Sequence, residues 1–433
     1  MMVKDNVNLE FIKYLENYYE HLIERMITVE LNEANYNKKI DIGIDEEYKL
    51  FENELIKQIK QGENIRLAKL VKIFNLSLLQ SKIIGLCLLP YLNLENKNKL
   101  LYLQHKKDAN TITIDLISKI LANTGHHRFE IHNEFYSSSF LVQSNLIELI
   151  RKGDEISDIA FGVRLNRKAA AFLKGIDQID EKIDRFSKLK DIKTEIENNE
   201  QLNQTKVEIN QLFNHLDKRL IFALSGVEKV EKIRFIENIC HFLGLKILEI
   251  DAQILFQSPS IFEDLIYIIN EALLSNALIF FKNSDHIFNR FEVDVQVKKK
   301  FFKQLENTAD LVIAFETQEE VFLQDLIETY YVILKDFPMI DNKKRLEIWQ
   351  SKFEQNHLSN KVININELAC RFQLTESQIN TAFKMVYESY LIKDDKESLS
   401  ISDFYAACRK VSSGNINELA VKIIPRHNWK DIV

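Results

Sequence analysis

Apolar positions recur with a helical period through the first part of this chain. Leu9-Glu10-Phe11-Ile12-Lys13-Tyr14-Leu15 opens such a pattern, and Tyr48-Lys49-Leu50-Phe51-Glu52-Asn53-Glu54-Leu55-Ile56 continues one. The polar stretch from Asn32 to Asp45 between them reads as a loop. Ile65 to Phe74 predicts an amphipathic helix, and Asn75-Leu76 a short turn. Ser77 and Gln80 fit a capping box, in which hydroxyl and amide satisfy orphan N–H groups at a helix start. The helix that follows, Leu78 to Leu89, is apolar nearly all round and is therefore a buried one. It stops at Pro90. A third helix fits Thr113 to Ala122. Ile159 to Leu165 alternates like a strand, and Asn166 can cap a closing helix that ends at Gly175.

Helix–turn–helix, then helix, then strand is the order of a winged helix, which we place at 61–175, after an N-terminal helical segment at 1–60. Residues 176–217 are rich in Lys, Glu, Asp and Asn and read as a charged, mostly helical linker with a solvated face. Short apolar runs then follow at Leu220–Leu224, Lys246–Ile250, Ala277–Phe281, Leu311–Phe315 and Tyr331–Leu334, without alternation. Parallel strands covered on both faces read this way. Helical segments separate them, so 218–338 is a doubly wound α/β unit. From 339 to 424 the pattern turns all-helical, with Thr375 and Gln378 as a second capping box. The fold class is α/β with a large all-α part: a helical and winged-helix N-terminal region, then a P-loop-like AAA+ α/β core with a helical lid.

Composition sharpens this picture. The chain has 433 residues, enough for two or three domains. Only 10 Gly and 4 Pro argue for long helices and against an antiparallel all-β fold. A formal net charge of -7 opposes a dedicated nucleic-acid binder, and no apolar run reaches the length that spans a bilayer. The N-terminus lacks a signal-peptide core. The cysteines, Cys87, Cys240, Cys370 and Cys408, form no CxxC pair and read as reduced cytoplasmic thiols.

The candidate chemistry lies after the first α/β strand, at Gly226-Val227-Glu228-Lys229-Val230-Glu231-Lys232-Ile233. A phosphate-binding loop needs G-x-x-x-x-G-K-[ST] there: glycines that let backbone N–H groups close on the phosphates, a lysine for the terminal phosphates, a hydroxyl for magnesium. Gly226 and Lys232 fit the spacing. Glu231 stands in the second glycine's place and Ile233 in the hydroxyl's. The third strand should end in two carboxylates but ends in Lys282-Asn283, with Asp285 two residues further on. Thr317, after the fourth strand, fits a polar sensor position, and the lid offers no clear arginine. Gly226, Lys232 and Thr317 therefore outline a degenerate nucleotide site, with no catalytic residue, no metal ligand and no cofactor assigned to this chain.

Other candidates carry less. His126-His127-Arg128-Phe129-Glu130-Ile131-His132 matches no metal-ligand spacing and reads as a surface loop. Cys87 and Cys408 sit among apolar neighbours and read as core. Arg164, Arg167 and Lys168 are a candidate basic patch on the wing, or an ordinary solvated face.

Leu70-Val71-Lys72-Ile73-Phe74-Asn75-Leu76-Ser77, with Leu86-Cys87-Leu88-Leu89-Pro90-Tyr91-Leu92 and Leu100-Leu101-Tyr102-Leu103-Gln104, resembles the winged-helix domain of bacterial AAA+ ATPases associated with contractile injection systems, the phage-tail-like particles. Asp403-Phe404-Tyr405-Ala406-Ala407-Cys408-Arg409 with Ser412-Ser413 is similar to that family's "D-L-x-x-A-C-R … S-S". Pro425-Arg426-His427-Asn428-Trp429-Lys430-Asp431-Ile432-Val433 resembles its passage into a second module. The resemblance covers about 65 to 433. It implies that a winged helix and a degenerate module precede a competent one that binds ATP and Mg, with 425–433 as the start of the linker to it. It also implies a role in assembling or remodelling the particle, with injection-system components as protein partners and a ring as the assembled form. Two other readings stay open: a stand-alone pseudo-ATPase scaffold, and a winged-helix DNA-binding regulator. Against the last, the helix Leu78–Leu89 offers Lys82 but no Arg to read bases.

Overall fold

A computed structural model describes residues 2–36, 53–54, 56–58, 62, 64–105, 111–122, 127–151, 157–192, 200–215, 219–288, 294–306, 311–318, 330–356, 364–392 and 400–412. The chain divides into two compact units. The first comprises 1–190, 248–279 and 299–311, and the second 191–247, 280–298 and 312–433.

The first unit opens with one long helix, Met2–Tyr36, which takes in the start of the expected loop at 32–45; the rest of that loop, and most of the helix expected at 48–56, lie outside the described residues. Phe11, Leu15, Tyr18, Tyr19, Leu22 and Ile23 give this helix its buried stripe. The capping box is formed: Gln80 N–H donates to Ser77 Oγ at 3.1 Å, and Ser77 N–H to Gln80 Oε1 at 2.9 Å. The helix it opens, Leu78–Leu88, is buried from Leu79 apart from Gln80, as its apolar girth requires.

Three short antiparallel strands, β1 (Ile112–Thr113), β2 (Ile147–Ile150) and β3 (Gly162–Leu165), pair in the order β1-β3-β2. Between β1 and β2 lie the helices Ile114–Ala122, Arg128–Asn133 and Phe140–Gln143. Strand, helices, then a two-stranded wing is the winged-helix order, and it corrects the sequence reading. The segment in the recognition-helix position is 128–143. The helix Leu78–Leu88 precedes β1 and is core. The wing strand also starts later than expected, because Asp158–Ala160 makes a 3₁₀ turn that Phe161 N–H closes on Asp158 O. Asn166 caps the closing helix Arg167–Leu173 as expected, accepting from Lys168 N–H at 2.8 Å.

Of the linker expected at 176–217 to be mostly helical, the described residues 176–192 hold no helix. Ser187–Lys190 forms a strand, β4, and Glu200–His215 a helix. Buried Ile183 and Phe186 lead into β4, Asp251 N–H donates to Phe186 O, and Lys190 Nζ donates to Glu249 Oε1 at 2.6 Å. Its charged, half-buried side chains are what hid this strand in the sequence.

The α/β strands are β5 (Arg219–Gly226), β6 (Lys246–Asp251), β7 (Ala277–Lys282), β8 (Ile313–Glu316) and β9 (Tyr330–Phe337). All five lie where apolar runs predicted them. The sheet order is β4-β6-β7-β8-β5-β9. Strand β5 therefore sits between β8 and β9, parallel to both. This is an open α/β sheet, and ligands of such sheets bind at the carboxyl ends of the strands, near the switch in strand order. In the second unit, the helices Asn342–Gln355, Ile365–Arg371, Glu376–Ile392 and Ile401–Ser412 form the helical lid around Trp349, Phe353, Phe383 and Phe404. Ser413 and the segment 425–433 lie outside the described residues.

Candidate nucleotide site

Gly226 ends β5 with φ 96°, a left-handed conformation that suits glycine. A Cβ there would stand 2.2 Å from Phe337 O, so close passage of β9 requires this glycine whether or not a phosphate ever binds. After it, the helix Lys229–Leu243 begins at once. Only Val227 and Glu228 remain between strand and helix, where a phosphate cradle needs a wide loop of free N–H groups. The N–H groups that are traced donate to protein: Gly226 to Gln318 O at 3.1 Å, Glu228 to Phe337 O at 3.2 Å, Lys229 to Val227 O at 3.0 Å, and Lys232 to Glu228 O at 3.2 Å.

Lys232 is 1% exposed. Its ammonium donates to Gly226 O at 2.5 Å and to Thr317 O at 2.6 Å. Burial pushes its pKa down; Lys229 adds to this, while the carboxylates of Glu316, Asp285 and Asp336 oppose it. Both carboxylate oxygens of Glu316 are buried without a hydrogen-bond donor. The structure thus brings together all three expected residues, Gly226, Lys232 and Thr317, but joins them to each other. Thr317 places its hydroxyl 3.4 Å from Leu224 O, and its N–H donates to the same carbonyl at 2.9 Å.

The residues after β7 are also engaged internally. Asn283 adopts φ 53° and accepts from Lys229 Nζ at 3.2 Å. Asp285 accepts from Gln318 N–H at 2.6 Å. Magnesium nucleotide does not fit this donor set: the loop is closed, Glu231 and Ile233 fill the positions of a glycine and a hydroxyl, and the strand end lacks its carboxylate pair.

Glu228 is the residue that motif spacing missed, because it falls on one of the motif's free positions. Its carboxylate is 0% exposed. Oε1 accepts from Ile340 N–H at 3.2 Å, and Oε2 from Glu376 N–H at 3.1 Å. Ile340 precedes the lid, and Glu376 begins one of its helices. Burial raises the Glu228 carboxyl; the two amides pull it back, and Glu231 and Glu376 push it up. Arg234 makes two hydrogen bonds to the Glu376 carboxylate, at 2.9 and 2.6 Å.

Residues 50–187 match the family model described as "Winged helix domain, variant". The architecture is a winged-helix domain with an α/β unit and a helical region after it. Two solved structures are similar to part of this chain. A chain from "Structural Basis for Katanin Self-Assembly" is 16% identical, with TM-score 0.37, covering 49% of this chain and 82% of that one. A chain from "Crystal structure of FIGL-1 AAA domain in complex with ADP" is 13% identical, with TM-score 0.41, covering 56% of this chain and 96% of that one. No curated protein matches the chain significantly.

The remaining candidates are structural. His127 stacks on Phe129 with ring centroids 6.0 Å apart, and His126 lies outside the described residues. Among the described residues no group of His, Cys, Asp and Glu could hold a metal ion. Arg164 pairs with Glu148 and Arg167 with Glu181, while Lys168 is buried against Glu271 at 2.8 Å. Each member of the candidate basic patch therefore has an acidic partner. Burial pushes the Cys87, Cys240 and Cys408 thiols up to about 12, leaving them inert at neutral pH. No helix of the described residues is long and apolar enough to cross a membrane.

Proposed function

We propose that this chain is the non-catalytic recognition and assembly half of an AAA+ protein that assembles or remodels a contractile injection particle in the cytoplasm. The observation that carries the reading is the internal use of Lys232, whose ammonium binds Gly226 O and Thr317 O where a nucleotide's phosphates would be held. A module built this way contributes surface and shape, while ATP and Mg are handled by a catalytic module elsewhere in the assembly. The particle as target rests on the sequence resemblance between 65 and 433, and ring formation on analogy with AAA+ proteins.

The test is sedimentation of the purified chain with purified sheath, tube and spike proteins of such a particle, alongside an ATP turnover assay. The reading expects co-sedimentation with at least one of them and turnover no higher than blank. Failure to bind any of the three removes the particle role. Turnover that Lys232→Ala abolishes removes the non-catalytic one.

A further inference from the structure

The contacts of Glu228 reach beyond the loss of a phosphate site. This carboxylate leaves the degenerate loop and binds two backbone amides of the lid region, 112 and 148 residues away in sequence. One is Ile340 N–H, in the hinge between β9 and the first lid helix. Arg345, itself buried, grips the same hinge residue from the other side: its Nη1 donates to Ile340 O at 2.6 Å, and its Nε to Ala369 O at 3.0 Å. The other amide is Glu376 N–H, at the start of the helix Glu376–Ile392, and Glu376 is also held by Arg234 from the helix after the degenerate loop.

We infer that Glu228 is a latch that fixes the lid on the degenerate loop, so that this module keeps one lid position with or without nucleotide. This deepens the non-catalytic reading and rests on it. A buried carboxyl that accepts two amide hydrogen bonds fastens both amides, and truncating it strands them. The hinge has no slack, because Ile340 is bound through its N–H and through its carbonyl. A lid held like this transmits no nucleotide signal. It presents a fixed surface, which is what a scaffold subunit needs.

Hydrogen–deuterium exchange on the full chain tests the latch, with Glu228→Ala and Glu228→Gln compared with the unsubstituted protein. The latch predicts that Glu228→Ala speeds exchange about tenfold or more in peptides over 338–345 and 374–380, with β6 and β7 unchanged. If Glu228→Ala fails to fold, Glu228→Gln decides: its amide keeps one acceptor and faces the other N–H with a donor, so exchange must rise at Ile340 or at Glu376. Unchanged exchange at both sites in a folded variant overturns the latch. The same measurement with 1 mM Mg-ATP, taken as roughly the upper end of ordinary enzyme substrate affinities, separates the two ideas. New protection over 226–233 on adding nucleotide contradicts the non-catalytic reading and leaves the latch standing if the variants still loosen the lid.

Discussion

Lys232 Nζ lies 2.6 Å from Thr317 O and 2.5 Å from Gly226 O, so the lysine that should reach a phosphate instead joins the ends of β5 and β8. A buried ammonium in that position is a structural group. Its removal takes one donor from each of two carbonyls and a cation from the neighbourhood of the buried Glu316 carboxylate.

Lys232→Ala is accordingly expected to lower unfolding free energy by about 3 kcal/mol, the scale for breaking a buried charge contact. Urea denaturation followed by circular dichroism checks this. A change below about 0.5 kcal/mol, the scale of a neutral surface substitution, would mean that the ammonium is dispensable and that the internal contacts do not define the site.

The latch carboxylate gives a pH signature. Burial raises Glu228 above an ordinary carboxyl, and the charged groups facing it are Glu231 on the helix it opens and Glu376 on the lid helix. A carboxyl whose folded value lies above its unfolded value binds protons more tightly when folded. Its contribution is therefore present below the unfolded value and is lost as pH rises through the folded one. The melting temperature of the unsubstituted chain minus that of Glu228→Gln should thus fall as pH rises from about 4 to about 7, across the ordinary carboxyl range and above it. A difference that grows with pH contradicts the assignment.

Much of the fold was legible in the sequence, and the reasons are local. Strands β5 to β8 announce themselves as short apolar runs because both their faces are covered, and β9 does so although Tyr331 and Leu334 are exposed. Ser77 with Gln80, and Thr375 with Gln378, announce helix starts because each box closes within four residues. The losses at Glu231, Ile233, Lys282 and Asn283 were legible because the motif demands particular chemistry there. What was not legible is non-local. Strand β1 has two residues and no period to read. Strand β4 is polar and was hidden by its charge. Glu228 sits on a motif position that tolerates any residue, and nothing in the sequence ties it to Ile340 or Glu376.

The winged helix yields a prediction about nucleic acid. Lys168, one member of the candidate basic patch, is buried; its ammonium donates to Glu271 Oε1 and to Gln178 O. Glu271 also accepts from Asp180 N–H at 3.1 Å and from Ser275 Oγ at 2.7 Å. Lys168→Ala should therefore destabilise the chain by about 3 kcal/mol, and Arg164→Ala with Arg167→Ala should leave duplex DNA binding at its non-specific baseline. Fluorescence anisotropy with a labelled duplex across a salt series checks the second point. A steep salt slope that the double substitution flattens would restore a DNA-reading role.

The groups that should hold a nucleotide are bound to the protein itself. Isothermal titration of the intact chain with Mg-ATP tests it most directly. A site closed in this way gives no saturable heat up to about 1 mM, roughly the weak end of ordinary enzyme substrate affinities. Saturable binding well below that concentration, lost in Lys232→Ala, would contradict it.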